Sequence, residues 1–393
     1  MEEAQRLVLA RVEPLPSERV ALDQAAGRVL AEPGQAVVDL PPFPSSAMDG
    51  FAVRAADVPA TLPVVARIAA GRPTGRTLEP GEAMGIATGG VVPEGADAVI
   101  PVEYVYERDN IVEVSEPVEP GANVRPRGGD LREGDVVVAA GARLGPTQLG
   151  ALAAAGVAEV VCGAVPRAAV LATGTELRRP GEPLGPGEVY EANGLIIEAQ
   201  LRSAGASVER LAAVADDDDA HREALARGLE HDLLVTSGGV SVGPHDLVRR
   251  IEAELGVEEV FWRVAVKPGK PVSFGVRGRT LVFGLPGNPV SSLVAFELFV
   301  RPAVLALQGV VDPLPRFEPG RLAAAIRRNA ARDELARARL SAGEDGAAVE
   351  LEPLVGQESH MIARSAAADA LVLVPRGEGE LEAGAPVRYL RLT

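Results

Sequence analysis

The stretch LLVTSGGVSVGPHD, residues 233–246, joins a short apolar run to a turn that is rich in Gly, Ser and Pro. An apolar run of this length that ends in such a turn is typical of a buried strand in a parallel sheet. The stretches LATGTEL (171–177) and VFGLPGNP (282–289) have the same form. Because the carboxyl ends of parallel strands meet at one edge of a sheet, the three stretches predict a ligand site at that edge.

Strands alternate with helical segments throughout residues 164–305, which predicts a mainly parallel, doubly wound α/β sheet. Residues 45–126 contain short Val-rich runs broken by Gly and Pro. They predict a β-rich module inserted between two other segments, 1–44 and 127–163. Within the first of these segments, VALDQAAGRVLAE (20–32) predicts a helix.

The C-terminal segment 306–393 returns to a β pattern and predicts a small barrel or sandwich. With 393 residues, the chain is long enough for several domains. The sequence therefore predicts a multidomain protein of α/β and β regions.

The composition and charge of the chain exclude several classes of function. A net charge of −16 opposes the basic surface that nucleic-acid binding uses. No stretch approaches the roughly 20 apolar residues that span a bilayer, and the acidic N-terminus lacks an apolar signal segment. Cys162 is the single cysteine, which excludes internal disulfides and thiolate metal clusters. We expect a cytoplasmic protein that binds neither nucleic acid nor membrane.

Two interpretations compete for the turn after residue 236. Gly239–Gly243 matches the G-x-S-x-G pattern of a serine-hydrolase nucleophile elbow, with Ser241 as the nucleophile. Four residues separate Thr236 from Ser241, however, and His245 is too close in sequence to meet Ser241 easily. Glycine lets a backbone approach a ligand closely, and amides at a helix N-terminus favour anions. These properties favour a phosphate site over a hydrolase, with a simple tight turn as the other alternative.

Charged residues support an anion site. Arg263, Lys267 and Lys270 cluster in FWRVAVKPGKPVSFG (261–275), and both residue types suit phosphate or an oxyanion. A solvated strand end is the alternative for this cluster. The run Asp216–Asp219 precedes a helix and predicts an N-cap with a solvated turn, although carboxylates near phosphates also hold Mg²⁺.

Seven motifs, taken together, resemble one known family. They occur in order, cover nearly the whole chain and have the sequences PPFPSSAMDGFAV (41–53), ATGGVVPEGADAVIP (87–101), RPRGGD (125–130), TGTEL (173–177), TSGGVSVGPHD (236–246), FWRVAVKPGKP (261–271) and GLPGNPVSS (284–292). The set is similar to the molybdopterin molybdenumtransferases, the MoeA family, which includes the gephyrin and plant E domains. TSGGVSVG alone is shared with the MogA-like adenylyltransferases.

The resemblance implies an enzyme that inserts molybdate into adenylylated molybdopterin and releases AMP, with a divalent cation such as Mg²⁺. It implies an elongated homodimer of four-domain chains with active sites between subunits, and transient contacts with a MogA-like adenylyltransferase and with molybdoenzymes. The domains would be a discontinuous helical dimerisation domain, an inserted β-rich domain, a MogA-like molybdopterin-binding α/β domain and a C-terminal β-barrel. In the same order they would span 1–44 with 127–163, 45–126, 164–305 and 306–393.

The resemblance also assigns roles to matching positions. The catalytic residues would be Asp49, Thr88, Asp130, Glu176, Asp246 and Lys267, with Asp49 and Thr88 reaching the site from the partner subunit. The substrate-binding residues would be Ser237, Gly238, Gly239, Ser241, an acidic residue at Asp216 or Asp217, Arg263, Lys270, Pro286, Gly287 and Asn288. Glu176, Asp216 and Asp246 are the candidates for holding Mg²⁺.

The chain departs from the family pattern at a few positions. Pro44-Ser45 stands where relatives often have an Asp-Asn pair, and Arg263 where they often have Lys. Two other functions of the same fold remain as alternatives. One is the molybdopterin adenylyltransferase, against which the long N-terminal region argues, and the other is a non-catalytic binding or scaffold protein.

Overall fold

A computed structural model describes residues 1–212, 217–239, 247–343 and 349–392. The density of contacts divides the chain into two units. The first unit comprises residues 1–18, 27–31 and 162–393, and the second comprises 19–26 and 32–161. Each unit contains its own sheets and cores.

A six-stranded sheet forms the centre of the first unit. Four strands run parallel, and two more extend the sheet as antiparallel neighbours at one edge. In sheet order they are Ser207–Arg210, Arg167–Ala172, Leu233–Ser237, Thr280–Leu285, Ser273–Arg277 and Glu258–Trp262. The predicted mainly parallel sheet is confirmed, and the antiparallel edge is an addition that the sequence did not indicate.

Helices cover both faces of this sheet because alternate strand residues point to opposite sides. Ala168 and Val170 belong to one apolar core, whereas Ala169 and Leu171 belong to the other. The first core contains residues of the helices Asn193–Ser203 and Pro289–Leu307, and the second contains residues of Asp218–Gly228 and Leu247–Glu254. The doubly wound fold is thereby confirmed.

The helix Pro289–Leu307 corrects the expectation that no apolar stretch approaches a bilayer span. Its 19 residues are long and apolar enough, by length and composition, to cross a membrane. It consists of the α-helices Pro289–Ala295 and Arg301–Leu307 with a π-helical turn, Phe296–Val300, between them. Its most apolar window is 78% buried inside the protein, so a place in the core accounts for its composition.

The helix predicted over VALDQAAGRVLAE is wrong. The segment begins in the strand Ser17–Ala21 and continues as a single 3₁₀ turn, Leu22–Gln24. The amide of Leu22 donates to the carbonyl oxygen of Ala158, so its hydrogen bond lies outside the segment. Gly27 has a φ of +74°, which interrupts any helical path. At the N-terminus, the helix Glu2–Leu9 packs instead into the first core of the α/β sheet through Ala4 and Val8.

A second six-stranded sheet forms the centre of the second unit and lies within the predicted β-rich segment. Its strands, in sheet order, are Ala98–Pro101, Gly50–Val53, Ala83–Ile86, Ala60–Ile68, Ile111–Val114 and Val105–Arg108. A Cβ on Gly50 would lie 2.0 Å from the carbonyl oxygen of Ile100, so only glycine fits there. The unit also contains the paired strands Gly34–Gln35 with Val136–Val138 and Ser45–Ser46 with Val124–Arg125, and the helix Pro146–Ala154.

Five C-terminal strands close into a barrel, as predicted. In order they are Asp333–Ala342, Val349–Pro353, Glu318–Leu322, Pro386–Arg391 and Ala370–Val374, and the last pairs with the first. The short strand Val266–Lys267 adds to the barrel beside Asp333–Ala342, which pairs Lys267 with Glu334 in register. A short helix, Ile362–Ser365, lies in the connection between two barrel strands.

Candidate functional site

The three glycine-containing stretches meet at the carboxyl ends of the parallel strands and border a cleft of about 560 Å³. We call it the sheet-edge cleft. Its described lining residues include Thr173, Gly174 and Glu176 of the first stretch, Ser237, Gly238 and Gly239 of the second, and Gly287, Asn288 and Pro289 of the third. The predicted meeting of these stretches at one sheet edge is confirmed.

Asn193 holds two of these stretches together. This residue begins the helix Asn193–Ser203, and its Nδ2 donates to Ser237 Oγ at 2.8 Å and to the carbonyl oxygen of Gly287 at 2.7 Å. Ser237 Oγ in turn donates to the carbonyl oxygen of Pro286 at 3.4 Å. Asn193 is nine-tenths buried, so this bridge is enclosed and fixes the distance between the two turns.

The glycines of the second stretch are required by sterics. Gly238 has a φ of +94°, and a Cβ there would lie 2.6 Å from the carbonyl oxygen of Thr173. Gly239 has a φ of +66°, and its Cβ would lie 2.5 Å from Cγ2 of Val248. The turn therefore lies too close to its neighbours for any residue with a Cβ. A backbone without side chains can also approach a ligand closely.

A loop of the C-terminal barrel, residues 354–365, also reaches the sheet-edge cleft. We call it the barrel loop. Its residues His360 and Ile362 line the cleft, and Ser359 Oγ accepts a hydrogen bond of 3.0 Å from Asn288 Nδ2. Asn288 is the N-cap of the helix that begins at Pro289, so the loop lies beside a helix N-terminus. The sequence did not predict this contribution of the barrel.

A buried arginine anchors the barrel loop. Arg337 is 1% exposed, and its guanidinium donates to the carbonyl oxygens of Met361 and Gly356, each at 2.7 Å, and to Ser365 Oγ at 2.8 Å. Burial lowers the pKa of Arg337, because desolvation penalises the charged form. Its bonds to loop carbonyls compensate for that burial and hold His360 at the cleft.

Among the described residues that line the sheet-edge cleft, none is lysine or arginine. Two carboxylates, Glu176 and Glu191, and two histidines, His221 and His360, are its titratable acidic and imidazole groups. Glu191 accepts a hydrogen bond of 2.5 Å from the amide of Gly194. The Glu176 carboxylate is exposed and has no hydrogen bond or ion pair to any described residue.

The basic residues of FWRVAVKPGKPVSFG lie elsewhere. Lys267 lines a second cleft, of about 440 Å³, together with Arg327, Arg328 and Asn329. Its Nζ lies 3.0 Å from Oε1 of Glu334, whose side chain is 7% exposed. Arg263 and Lys270 are exposed and line neither of these clefts, and the guanidinium of Arg263 stacks on the ring of Trp262 at 3.8 Å.

Three predicted residues lie in the second unit. Asp49 Oδ1 accepts hydrogen bonds from the amide of Thr88 at 2.7 Å and from Thr88 Oγ1 at 3.0 Å. These bonds stabilise the carboxylate and lower the pKa of Asp49. Asp130 is exposed, and its amide donates to the carbonyl oxygen of Leu40. Asp49 and Thr88 are thus brought together, as the resemblance implies.

Asp216, Ser241 and Asp246 lie outside the described residues. Within the rest of the acidic run, Asp217 caps the helix Asp218–Gly228 by accepting from the amide of Ala220 at 2.8 Å. Asp218 forms an ion pair with Arg250, which lowers the pKa of this carboxyl. In the described part of the chain, no group of three or more His, Cys, Asp or Glu residues is placed to hold a metal ion. Cys162 is buried and unpaired, and burial raises the pKa of its thiol.

Three family models match the chain. They are the MoeA N-terminal region (domain I and II) over residues 1–156, a probable molybdopterin binding domain over 169–306, and the MoeA C-terminal region (domain IV) over 319–392. Together they account for nearly the whole chain.

Curated relatives match over nearly their full length. Molybdopterin molybdenumtransferase 2 of Mycobacterium tuberculosis is 36% identical, covering 100% of this chain and 99% of the relative. Molybdopterin molybdenumtransferase of Haemophilus influenzae is 35% identical, over 95% and 93%. A crystal structure of the molybdopterin biosynthesis MoeA protein from Pyrococcus horikoshii has a TM-score of 0.84 and 27% identity, over 100% of this chain and 99% of the other.

Proposed function

Because the chain belongs to the molybdopterin molybdenumtransferase (MoeA) family, we propose that it inserts molybdate into adenylylated molybdopterin and releases AMP. It is an enzyme of molybdenum cofactor biosynthesis. The observation that carries the proposal is the sheet-edge cleft, in which the strand-end turns of the probable molybdopterin binding domain meet.

In this proposal the sheet-edge cleft receives the adenylyl pyrophosphate of the substrate. Gly238 and Gly239 let the backbone approach phosphoryl oxygens, and the helix that begins at Pro289 presents its N-terminus to the anion. Asn193 holds the turns of Ser237 and Gly287 at a fixed separation. The chain therefore stabilises the phosphoanhydride with groups that are positioned before the substrate arrives.

Lys267 is proposed to bind molybdate, with Arg263 and Lys270 nearby in sequence. Molybdate is a divalent oxyanion that must approach a dithiolene beside an adenylyl phosphate, so like charges meet. A lysine ammonium reduces this repulsion. Metal insertion is then coupled to cleavage of the phosphoanhydride, which releases AMP. The dithiolene sulfurs belong to the substrate, and the buried Cys162 has no catalytic task.

Mg²⁺ is proposed as the divalent cation, held by Glu176, Asp216 and Asp246. The fit rests on Glu176, an exposed carboxylate in an anion-binding cleft with no cationic partner among the described residues. Carboxylates combined with substrate phosphates and water are the usual Mg²⁺ ligands. When bound, Mg²⁺ would neutralise charge on the phosphoryl oxygens.

The remaining proposals concern assembly and location. Asp49 and Thr88 act in the active site of the partner subunit of a homodimer, and Asp130 contributes to the site from the segment that follows the inserted domain. Support for an interface comes from the exposed apolar residues Val37, Val38, Phe43, Met48 and Val136. The four-domain division stays a prediction, as do cytoplasmic location and contacts with a MogA-like adenylyltransferase and with molybdoenzymes.

AMP release from adenylylated molybdopterin tests the proposal, measured with Mg²⁺ in the presence and absence of molybdate. Release that depends on molybdate, and that Asp49→Ala abolishes in a folded protein, supports the transferase. The adenylyltransferase alternative, which the full-length relatives do not favour, would consume ATP with molybdopterin instead. No release from a folded protein in either condition would favour a binding protein.

A further inference from the structure

The sheet-edge cleft contains a histidine that has no role in the proposed mechanism. His221 lies in the first turn of the helix Asp218–Gly228, is 1% exposed and lines the cleft. Its Nδ1 lies 2.9 Å from the main-chain oxygen of Asp217. Because a carbonyl oxygen only accepts hydrogen bonds, Nδ1 carries a proton and donates it to this bond.

The other ring nitrogen, Nε2, has no hydrogen-bond partner among the described residues. His221 is therefore a buried side chain of the cleft lining that is fixed through Nδ1 and whose other ring nitrogen is uncommitted among the described residues. His231 shows the contrast. Its side chain is also buried, but Nε2 contacts Glu209 at 3.1 Å, and the residue precedes the strand Leu233–Ser237 at the edge opposite the cleft.

Charge indicates what His221 binds. A phosphate in the sheet-edge cleft meets the carboxylates of Glu176 and Glu191, while no described lining residue is a lysine or arginine. His221 and His360 are the described lining side chains that can become cationic. An imidazole beside a phosphate gains a proton, because the anion stabilises the charged form. Its N–H then donates a charge-assisted hydrogen bond.

We propose that His221 is a phosphate-binding residue whose Nε2 donates to a phosphoryl oxygen of the bound adenylyl pyrophosphate. The inference rests on the proposed function, since it assumes a nucleotide in this cleft. His221 is held more rigidly than His360, which is exposed on the barrel loop, and so supplies the better oriented donor. In this cleft it takes the role that a lysine or arginine has in other phosphate sites.

The test measures binding of diadenosine diphosphate by calorimetry, without molybdate or turnover. Each phosphate of this probe carries one ester to adenosine and shares the anhydride bond, so it has a single, strongly acidic hydroxyl and does not titrate near neutral pH. His221→Asn keeps a donor at the position of Nδ1 and loses Nε2, whereas His221→Gln places a donor near Nε2. We expect Asn to weaken binding at least about tenfold and Gln to weaken it less, since charge-assisted hydrogen bonds are strong. His231→Gln is the matched control and leaves binding unchanged.

Equal affinity of wild type and His221→Asn would overturn the inference, and so would equal weakening by His231→Gln. If both His221 variants unfold, the ring signal of His221 in wild-type protein decides by NMR. The chain contains 4 histidines, so substitution of the other three, one at a time, assigns the His221 signal by elimination. The probe should move it towards the imidazolium position, and no movement contradicts the proposal. Failure here with intact AMP release would leave the proposed function standing.

Discussion

Replacing Gly238 by alanine tests whether the turn at the sheet-edge cleft is as tightly packed as the structure indicates. The new Cβ would lie 2.6 Å from the carbonyl oxygen of Thr173, in a backbone with a φ of +94°. The positive φ alone costs an alanine about 1 kcal/mol. Overpacking against a backbone atom adds about 2 kcal/mol. We therefore expect Gly238→Ala to lower the free energy of unfolding by about 3 kcal/mol.

Gly256→Ala is the matched control. Gly256 lies in the same unit with a φ of +83°, and nothing lies within 4 Å of the Cβ that it would gain. Only the conformational cost of about 1 kcal/mol applies there. The difference of about 2 kcal/mol should separate the two melting temperatures by roughly 4–8 °C in calorimetry. Equal melting temperatures for the two variants would refute the close approach of Gly238 to Thr173.

Three further predictions concern other parts of the molecule. Lys267→Ala should reduce molybdate-dependent AMP release and cost about 1–3 kcal/mol of stability, because it leaves the buried carboxylate of Glu334 unpaired. The double variant Lys267→Ala with Glu334→Gln should recover stability but not AMP release. Recovery of both would count against a role of Lys267 in binding molybdate. Asp49 has a lowered pKa in the folded protein, so its stabilising effect is complete above the ordinary pKa of 3.8 and is lost as pH falls through the lower folded value. Asp49→Asn should remove this pH dependence from the unfolding of the second unit. An unchanged dependence of unfolding on acid pH would contradict the bonds to Thr88. Arg337→Met should detach the barrel loop and destabilise the protein by about 3 kcal/mol, since it leaves buried carbonyl oxygens without donors. Amide hydrogen exchange should become faster in residues 354–365. Unchanged exchange there would argue against Arg337 as the anchor of the loop.

The predicted parts of the cleft are those that local sequence encodes. Each of the three stretches combines an apolar run with a glycine turn, and parallel strands bring such turns to one edge whatever their separation along the chain. The tight turn at Gly238 and Gly239 is also encoded locally, because a backbone at positive φ favours glycine. The β pattern of the C-terminal segment predicted a barrel or a sandwich, and the family resemblance implied the barrel.

The missed parts depend on contacts between distant residues. Asn193 lies 44 residues from Ser237 and 94 from Gly287 along the chain. The one sequence feature that could have pointed to it is a polar residue, after Glu191-Ala192, at the start of a helix. Arg337 holds the barrel loop through main-chain carbonyl oxygens. Every residue has such an oxygen, so the sequence of the loop does not reveal its partner. The helix predicted over 20–32 failed because apolar periodicity does not report where backbone hydrogen bonds are made.

The position of bound AMP tests the central claim most directly. A crystal structure of the full chain with AMP should place the phosphate against the turn Ser237–Gly239 and beside the helix that begins at Pro289. The amide of Gly238 donates to the carbonyl oxygen of Leu285, so the phosphate should lie within hydrogen-bonding distance of the Gly239 amide. The account predicts this position in the sheet-edge cleft. A phosphate held instead in the cleft of Lys267, Arg327 and Arg328 would contradict it.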